Sequence, residues 1–281
     1  MDVLDIWYAR LDDSDFLAML PEERKAVLRK RIAKATAASS SELVFPKLAE
    51  ATGGQARIHD TPPTLFHADA SRAAGDMDML RETLTKYRET LADDRRVLLD
   101  RYRLVDAAIK VVGIGSVGTL CMVALMMSIA DHPFFLQIKQ ANASVLEAYA
   151  GKSVYAQHGE RVVEGQRLMQ PASDLFLGWV IGPEGRHFYI RQLRDAKLSP
   201  LVETYDAGML SIYGKACGWA LARAHAKAGD PWAISGYLGN GGQFDDAMGK
   251  FALAYADQAE KDHAALKAAV RTGIVDVQLE H

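Results

Sequence analysis

The clearest chemical signal in this 281-residue sequence is a set of three glycines followed by a lone lysine. The glycines are spaced as Gly113-x-Gly115-x-x-Gly118, and Lys139 closes the apolar run that follows them. Glycine has no Cβ and adopts positive φ readily, so a loop of this kind lets backbone N–H groups approach phosphate oxygens. An ordinary tight turn of a buried hairpin can show the same spacing. The glycines therefore indicate a phosphate site and leave its class open.

One interpretation is a kinase-type hairpin. A strand over residues 109–113 would enter the glycine turn, a second strand over 119–127 would return, and a third strand over 134–139 would end at Lys139. The lysine then points back under the turn and pairs the α- and β-phosphates of ATP. In this interpretation the lysine is the residue that binds the nucleotide.

A helix predicted over residues 158–169 carries two glutamates that suit the same interpretation. Glu160 and Glu164 lie four residues apart, so they share one face of the helix. A helix glutamate fixes the phosphate-binding lysine in kinase-type sites. Either glutamate could reach Lys139 if the helix packs behind the hairpin, although two surface glutamates would show the same spacing.

A second interpretation of the glycines is a dinucleotide-binding loop. The strand over residues 109–113 would then feed a helix over 117–130 whose N-terminus faces a pyrophosphate. An acidic residue about 20 positions further on would hold the ribose hydroxyls. The sequence has Lys139 and Gln140 in that region instead, so it favours the hairpin over a dinucleotide-dependent oxidoreductase.

A third interpretation is a membrane span, because residues 111–130 are twenty positions without a charge, which is long enough to cross a bilayer. The three glycines, with Ser116 and Thr119, weaken this interpretation. The rest of the chain does not resemble a membrane protein. We therefore expect no membrane partner.

Composition points to a globular cytoplasmic protein. The chain is 49% hydrophobic and 25% charged, and its net charge of −3 offers no electrostatic footprint for nucleic acid. Its two cysteines, Cys121 and Cys217, each lie in an apolar stretch and indicate buried thiols in a reducing compartment. The N-terminal residues have no basic region followed by a continuous apolar core, so they do not predict a signal peptide.

Two histidines and two aspartates lie close together in an extended segment. His59 and His67 are accompanied by Asp60 and Asp69. These residues have neither the helical i, i+4 spacing nor a Cys/His framework of the kind that zinc sites use. The sequence therefore does not predict a metal centre here.

The elements that must position the glycine loop and Lys139 indicate an α+β fold. Residues 1–105 are predicted to be mainly helical, and residues 76–102 form one long helix in that region. Residues 106–200 are predicted to hold a small antiparallel sheet of about five strands, with the glycine hairpin at its centre. Residues 201–281 are predicted to be helices that pack on the same core.

Five stretches together resemble a bacterial family known as domain of unknown function 2252: VVGIGSVGT, FFLQIKQANASVLEAYAG, HGERVVEGQRLMQPASDLFLGW, FYIRQLRDAK and CGWALARAHAKAGD. That family is similar to a permuted relative of the aminoglycoside-phosphotransferase and protein-kinase fold. The resemblance implies an ATP site made from eight residues: Gly113, Gly115, Ser116, Gly118, Lys139, Glu164, Glu160 and Arg191. In it the glycines and the serine lie over phosphates, Glu164 or, as second choice, Glu160 fixes Lys139, and the strand that ends near Arg191 abuts the adenine.

The longer members of the family carry a further segment before the part that resembles this chain. It reads like His-Gly-Asp-x-His-x-x-Asn followed by Asp-Phe-Asp, which resembles a catalytic loop and a metal-binding loop. Here His158-Gly159-Glu160 lacks the aspartate, and His67-Ala68-Asp69 is not followed by a ligand pattern. Phosphoryl transfer needs an aspartate to orient the acceptor and ligands for magnesium.

The resemblance therefore implies a nucleotide-binding module that matches the C-terminal part of a longer protein. We expect no catalytic residue and no metal ligand within this chain. Magnesium would bind only if a missing segment or a separate chain supplied the catalytic loop and its ligands. The alternative is a non-catalytic interaction protein in which the glycine hairpin is only a structural turn.

Overall fold

A computed structural model of the protein describes residues 2–37, 41–52, 55–68, 73–113, 118–193 and 200–277. Within these ranges the chain forms eleven helices and eight strands, and it divides into two compact units, Met1–Ala224 and His225–His281. The fold is α+β, as the sequence predicts.

Four helices form the N-terminal region: α1 (Val3–Tyr8), α2 (Asp13–Ala18), α3 (Glu22–Ala37) and α4 (Ser41–Leu48). The first two begin at capping boxes, because Asp2 and Asp12 accept hydrogen bonds from the first turn while Asp5 and Asp15 accept one back from the cap residue. A short hairpin, β1 (Ala49–Thr52) and β2 (Gln55–Ile58), follows α4 and forms a two-stranded antiparallel sheet.

A six-stranded antiparallel sheet forms the centre of the first unit, in the order β3-β4-β5-β6-β8-β7. Its strands are β3 (Leu65–Phe66), β4 (Tyr102–Lys110), β5 (Cys121–Ser128), β6 (Pro133–Gln140), β7 (Gly178–Ile181) and β8 (His187–Gln192). The predicted strand, glycine connection and returning strand are therefore present as β4 and β5, and the predicted lysine strand is β6. The first of these strands both begins and ends earlier than predicted, because it spans Tyr102–Lys110 rather than residues 109–113.

The uncharged run that suggested a membrane span consists largely of a central strand. β5 pairs with β4 on one side and with β6 on the other, and five of its residues in succession, from Val123 to Met127, are buried. A central strand covered on both faces needs apolar residues at consecutive positions, so it loses the alternation of an exposed strand. The predicted dinucleotide helix over residues 117–130 is wrong, because the larger part of it, Cys121–Ser128, forms β5. No helix in the described ranges has both the length and the apolarity needed to cross a bilayer.

One face of the sheet, here called the α5 face, is covered by α5 (Ala73–Arg88) and α6 (Asp93–Leu99). The predicted single helix over residues 76–102 is wrong, because the chain turns between these two helices. The reason lies in contacts with β7: the Thr90 hydroxyl accepts a hydrogen bond from Trp179 N at 3.1 Å and so ties the end of α5 to the sheet. Close packing is possible there because Gly178 has no Cβ, which would lie 2.7 Å from Thr90 Oγ1.

The opposite face is covered by α4, the β1–β2 hairpin and α8 (His158–Met169). Successive residues of β6 point to opposite faces of the sheet. Phe134 and Leu136 pack with the buried residues on the α5 face, whereas Phe135 packs with the cluster that contains Ile58 of β2. A short helix, α7 (Glu147–Ala150), lies between β6 and α8 in the chain. The opposite face carries the polar residues described below.

Three helices complete the chain: α9 (Ala207–Ala228), α10 (Pro231–Leu238) and α11 (Gln243–Arg271). α10 begins at Asp230, whose carboxylate accepts hydrogen bonds from Trp232 N and Ala233 N, and it ends at Gly239, which has a φ of 63°. The unit His225–His281 contains α10 and α11.

Candidate functional site

The glycine connection joins β4 to β5, and the structure describes its two ends. Gly115 and Ser116 lie outside the described residues. Gly118 has a φ of +76°, a conformation that side chains with a Cβ rarely adopt. A Cβ built on Gly113 or on Gly118 would meet no heavy atom within 4 Å, so there is space beside the Cα of each of these glycines.

Lys139 lies near the end of this connection. In the register of the sheet it pairs with Cys121, the first residue of β5, and on its other side with Tyr189 of β8. Its side chain is half-buried, and its Nζ lies 5.9 Å from the centroid of the Tyr189 ring. Among the described residues, no carboxylate forms an ion pair with this ammonium.

Two further cations, Lys110 and Arg191, lie near the thiol of Cys121. Ile109 of β4 pairs with Met122 of β5, so the next residue, Lys110, lies beside Cys121. Burial raises the pKa of the Cys121 thiol, and the charges of Lys139, Lys110 and Arg191 each act against that increase. The sheet therefore brings three cations together around one buried thiol.

Arg191 is held in place by a neutral group. Gln137 is only 4% exposed, and its Oε1 accepts hydrogen bonds from Arg191 Nε at 3.1 Å and from Nη2 at 3.0 Å. The amide Nε2 of the same glutamine donates to Cys121 Sγ at 3.7 Å. An amide oxygen orients a guanidinium without cancelling its charge, so Arg191 keeps its full attraction for an anion.

Three of these side chains, but not Lys139 or Cys121, line a cavity of about 300 Å³, here called the cationic cavity. Lys110, Gln137 and Arg191 lie on the sheet side, and Gln166 and Gln170 come from α8. With Gln192 of β8, which also lines the cavity, the walls combine two cations with four amides, a set that suits an anionic, hydrogen-bonding ligand.

One acidic residue, Asp174, also lines the cationic cavity. Its two carboxylate oxygens accept backbone hydrogen bonds from Phe176 N at 2.8 Å and from Gln192 N at 2.9 Å. This carboxylate therefore fixes the chain before β7 and the end of β8, and it forms no ion pair with Arg191 among the described residues.

The two glutamates of α8 are not brought to Lys139. Glu164 forms an ion pair with Arg167 at 2.7 Å, and Glu160 lies in the first turn, where its N–H donates to the Gln157 side chain that caps the helix. α8 packs against β7 and β8, whereas Lys139 is on β6. A pair between Lys139 and either glutamate remains a prediction.

Sequence reasoning missed Lys110 and Gln137, as it missed Asp174 and the residues that α8 contributes to the cationic cavity, and it gave Arg191 a different role. A signal for Gln137 was present, because it is a polar residue inside the apolar run of β6, and a buried amide needs partners. Lys110 carried no such signal. Its position depends on the register between β4 and β5, which the sequence does not show.

A separate polar cluster lies at the middle of β4, next to the end of β3. His67 Nδ1 lies 2.8 Å from Asp60 Oδ1, and its Nε2 lies 3.0 Å from Asp106 Oδ2. Asp106 also accepts a hydrogen bond from Ile58 N at 2.7 Å. Asp69 lies outside the described residues, and among those that are described no group of three or more His, Cys, Asp or Glu side chains is arranged to hold a metal ion. The cluster therefore serves to tie β2 and β3 to β4.

The fold and the cationic cavity together define an α+β protein whose antiparallel sheet presents half-buried cations on one face. Residues 1–269 match the model of a family described as an uncharacterized protein conserved in bacteria (DUF2252), and the chain belongs to that family. No curated protein matches the chain. No solved structure matches it either.

Proposed function

We propose that this protein is a kinase-like module that binds the phosphates of ATP or ADP on the cationic face of its sheet, the face that carries Lys110, Lys139 and Arg191. The observation that carries the proposal is the register of β4, β5 and β6, which sets Lys139 and Lys110 on either side of Cys121, directly after the glycine connection. Glycine backbone and lysine side chain together are the elements that phosphoryl-binding hairpins use.

The order of elements along the chain supports the same class. A strand leads into the glycine connection, a second strand returns, a third strand carries Lys139, and α8 follows with its two glutamates. This is the order of the glycine-rich loop, the β3 lysine and the αC glutamate in protein kinases. In the proposed complex Lys139 moves from the Tyr189 ring to the phosphates.

The charges of the site support an anionic ligand. Lys110, Lys139 and Arg191 contribute three positive charges, and the amide of Gln137 orients the arginine without compensating it. Uncompensated cations in a partly buried site attract phosphates more strongly than they would at an open surface. We assign the phosphate contacts to these three residues together with the backbone at Gly113 and at Gly118.

The predicted glutamate partner requires a rearrangement. Glu164 would have to leave Arg167 before it could fix Lys139, and Glu160 would have to reach across from the first turn of α8. We propose no catalytic residue in this chain. Magnesium would bind with the nucleotide only through ligands from another segment or another chain.

Calorimetry with ATP and with ADP tests the proposal, with Lys139→Met as the variant and Lys261→Met as the control. Lys261 is an exposed lysine of α11, so its loss should not change binding. Removing one charge-assisted contact costs about 1.5–3 kcal/mol, so we expect Lys139→Met to weaken binding roughly 10- to 100-fold. Wild-type protein that binds neither nucleotide at millimolar concentration, or two variants that bind alike, would overturn the proposal.

A second candidate function is protein binding without nucleotide. It is favoured by exposed apolar side chains between β6 and α8, where Val145 is 85% exposed, Tyr149 89% and Val154 92%. Exposed apolar residues in one segment are typical of interaction sites. A photo-reactive residue in place of Tyr149 should then cross-link a partner in cells, whereas one in place of Lys261 should not. Cross-linking at both positions or at neither would count against this function.

A further inference from the structure

A second cavity, of about 310 Å³, lies on the α5 face of the sheet, between α5 and the strands. Its walls are mainly apolar and include Met77 and Leu80 of α5, Met122 of β5 and Phe188 of β8. The volume lies at the lower end of the range found for small-molecule sites. Methionine side chains are flexible and polarisable, so such walls adapt to ligands of different shapes.

This cavity is separate from the cationic cavity. Met122 and Ile138 line it, and their chain neighbours Cys121 and Lys139 belong to the cationic face. Successive residues of a strand point to opposite faces of the sheet. A ligand on the α5 face therefore depends on residues that the proposed phosphate site does not use.

One carboxylate that lines the cavity has no partner in the described part of the chain. Asp76, in the first turn of α5, is half-buried and lines the cavity. Among the described residues, no side chain or backbone group forms a hydrogen bond or an ion pair with it. Its place near the helix N-terminus stabilises α5, but its charge is not matched by a cation.

The other charges that line the cavity do not compensate Asp76. Arg186 forms an ion pair with Glu184 at 2.6 Å, so these two charges cancel. His67 lies between the carboxylates of Asp60 and Asp106, and Arg57 pairs with Asp60 at 3.3 Å. These four residues therefore carry no net charge if the imidazole is protonated and −1 if it is neutral. The lining as a whole is therefore apolar with an excess of negative charge.

We propose that this cavity binds a small organic cation, an amine carried on an apolar body. The ammonium pairs with Asp76, and the apolar body packs between the α5 methionines and Phe188. An amine is favoured over an alcohol because it supplies the positive charge that the half-buried carboxylate lacks, and over an acid because like charges in a low-dielectric site repel.

A series of three probes that differ only in charge tests the proposal. Phenylbutylamine, phenylbutanol and phenylbutyrate share one apolar body and are titrated into the full chain, with binding followed by calorimetry. We expect the amine to bind at least tenfold more tightly than the alcohol and the acid not to bind. Three probes that bind alike, or an amine that does not bind at millimolar concentration, would refute the proposal.

Two variants locate the site. Asp76→Asn should abolish the preference for the amine over the alcohol, whereas Asp78→Asn should keep it, because Asp78 is exposed and pairs with Arg81 at 2.6 Å. Ala107→Met places a larger side chain in the cavity wall and should prevent binding of both probes, while nucleotide binding is unchanged. Equal effects of the two aspartate variants, or amine binding that survives Ala107→Met, would show that the amine binds elsewhere.

Discussion

The position of α8 on the sheet depends on a single glycine, and replacing it gives the sharpest test of this structure. A Cβ at Gly159 would lie 2.1 Å from the carbonyl oxygen of Phe188 and 2.6 Å from its carbonyl carbon. Both are backbone atoms of β8 and cannot move aside as the end of a side chain can. In Gly159→Ala, α8 must therefore shift away from β8 by roughly 1 Å to reach an ordinary contact distance.

The expected cost follows from two opposing terms. Overpacking in a close-packed interior costs about 1–3 kcal/mol, and the higher helix propensity of alanine returns up to about 1 kcal/mol of that. We therefore expect Gly159→Ala to lower the free energy of unfolding by about 1–2 kcal/mol. The shift should also weaken the proposed binding of ATP, because α8 supplies Gln166 and Gln170 to the cationic cavity.

Gly165 provides a matched control in the same helix. A Cβ there would meet no heavy atom within 4 Å, so Gly165→Ala should raise the free energy of unfolding by about 0.5–1 kcal/mol. Urea unfolding compares both variants with the wild type through their midpoints at unchanged m-value. If both alanine variants are stabilised, or both are destabilised alike, then α8 does not pack against β8 at Gly159 as described.

Two further variants test the packing of α5 and the polar cluster at β3. The Tyr87 hydroxyl donates to the Phe176 carbonyl at 2.5 Å, and burial raises the pKa of this phenol and keeps it protonated. Tyr87→Phe leaves that carbonyl without its donor and should lower the free energy of unfolding by about 1–3 kcal/mol. An unchanged midpoint in urea unfolding would contradict the contact. Hydrogen bonds from the His67 backbone and ring lower the pKa of Asp60 below 3.8, so its contribution to stability is complete above that pH and is lost as the pH falls through the lower, folded pKa. Asp60→Asn should therefore reduce the loss of unfolding free energy at acidic pH. A pH dependence equal to that of the wild type would refute the assigned contacts between Asp60 and His67.

The sequence was a good guide to the strands around the glycine connection and to α8. The glycines mark the turn, the apolar runs on either side of it mark buried strands, and the 3.6-residue period marks the helix. These are local signals, since each depends on residues within about one element. The α+β class and the position of Lys139 on the third strand follow from them.

The long helix predicted over residues 76–102 shows where local signals fail. Its apolar period continues through both α5 and α6, but Thr90 and Gly178 meet across the interface with β7 and the chain turns there. The residue that permits this contact, Gly178, lies far along the chain from the helix that turns. No window of sequence contains both.

The sequence by itself determined which residues could form strands, a glycine turn and a lysine at the end of an apolar run. Only the tertiary structure decided that Lys110 and Arg191 lie near Lys139, that Gln137 holds the arginine, and that Glu164 pairs with Arg167. The physical reason is register. A shift of one residue in the pairing of two strands moves every side chain to the other face of the sheet, and that choice is set by packing between distant parts of the chain.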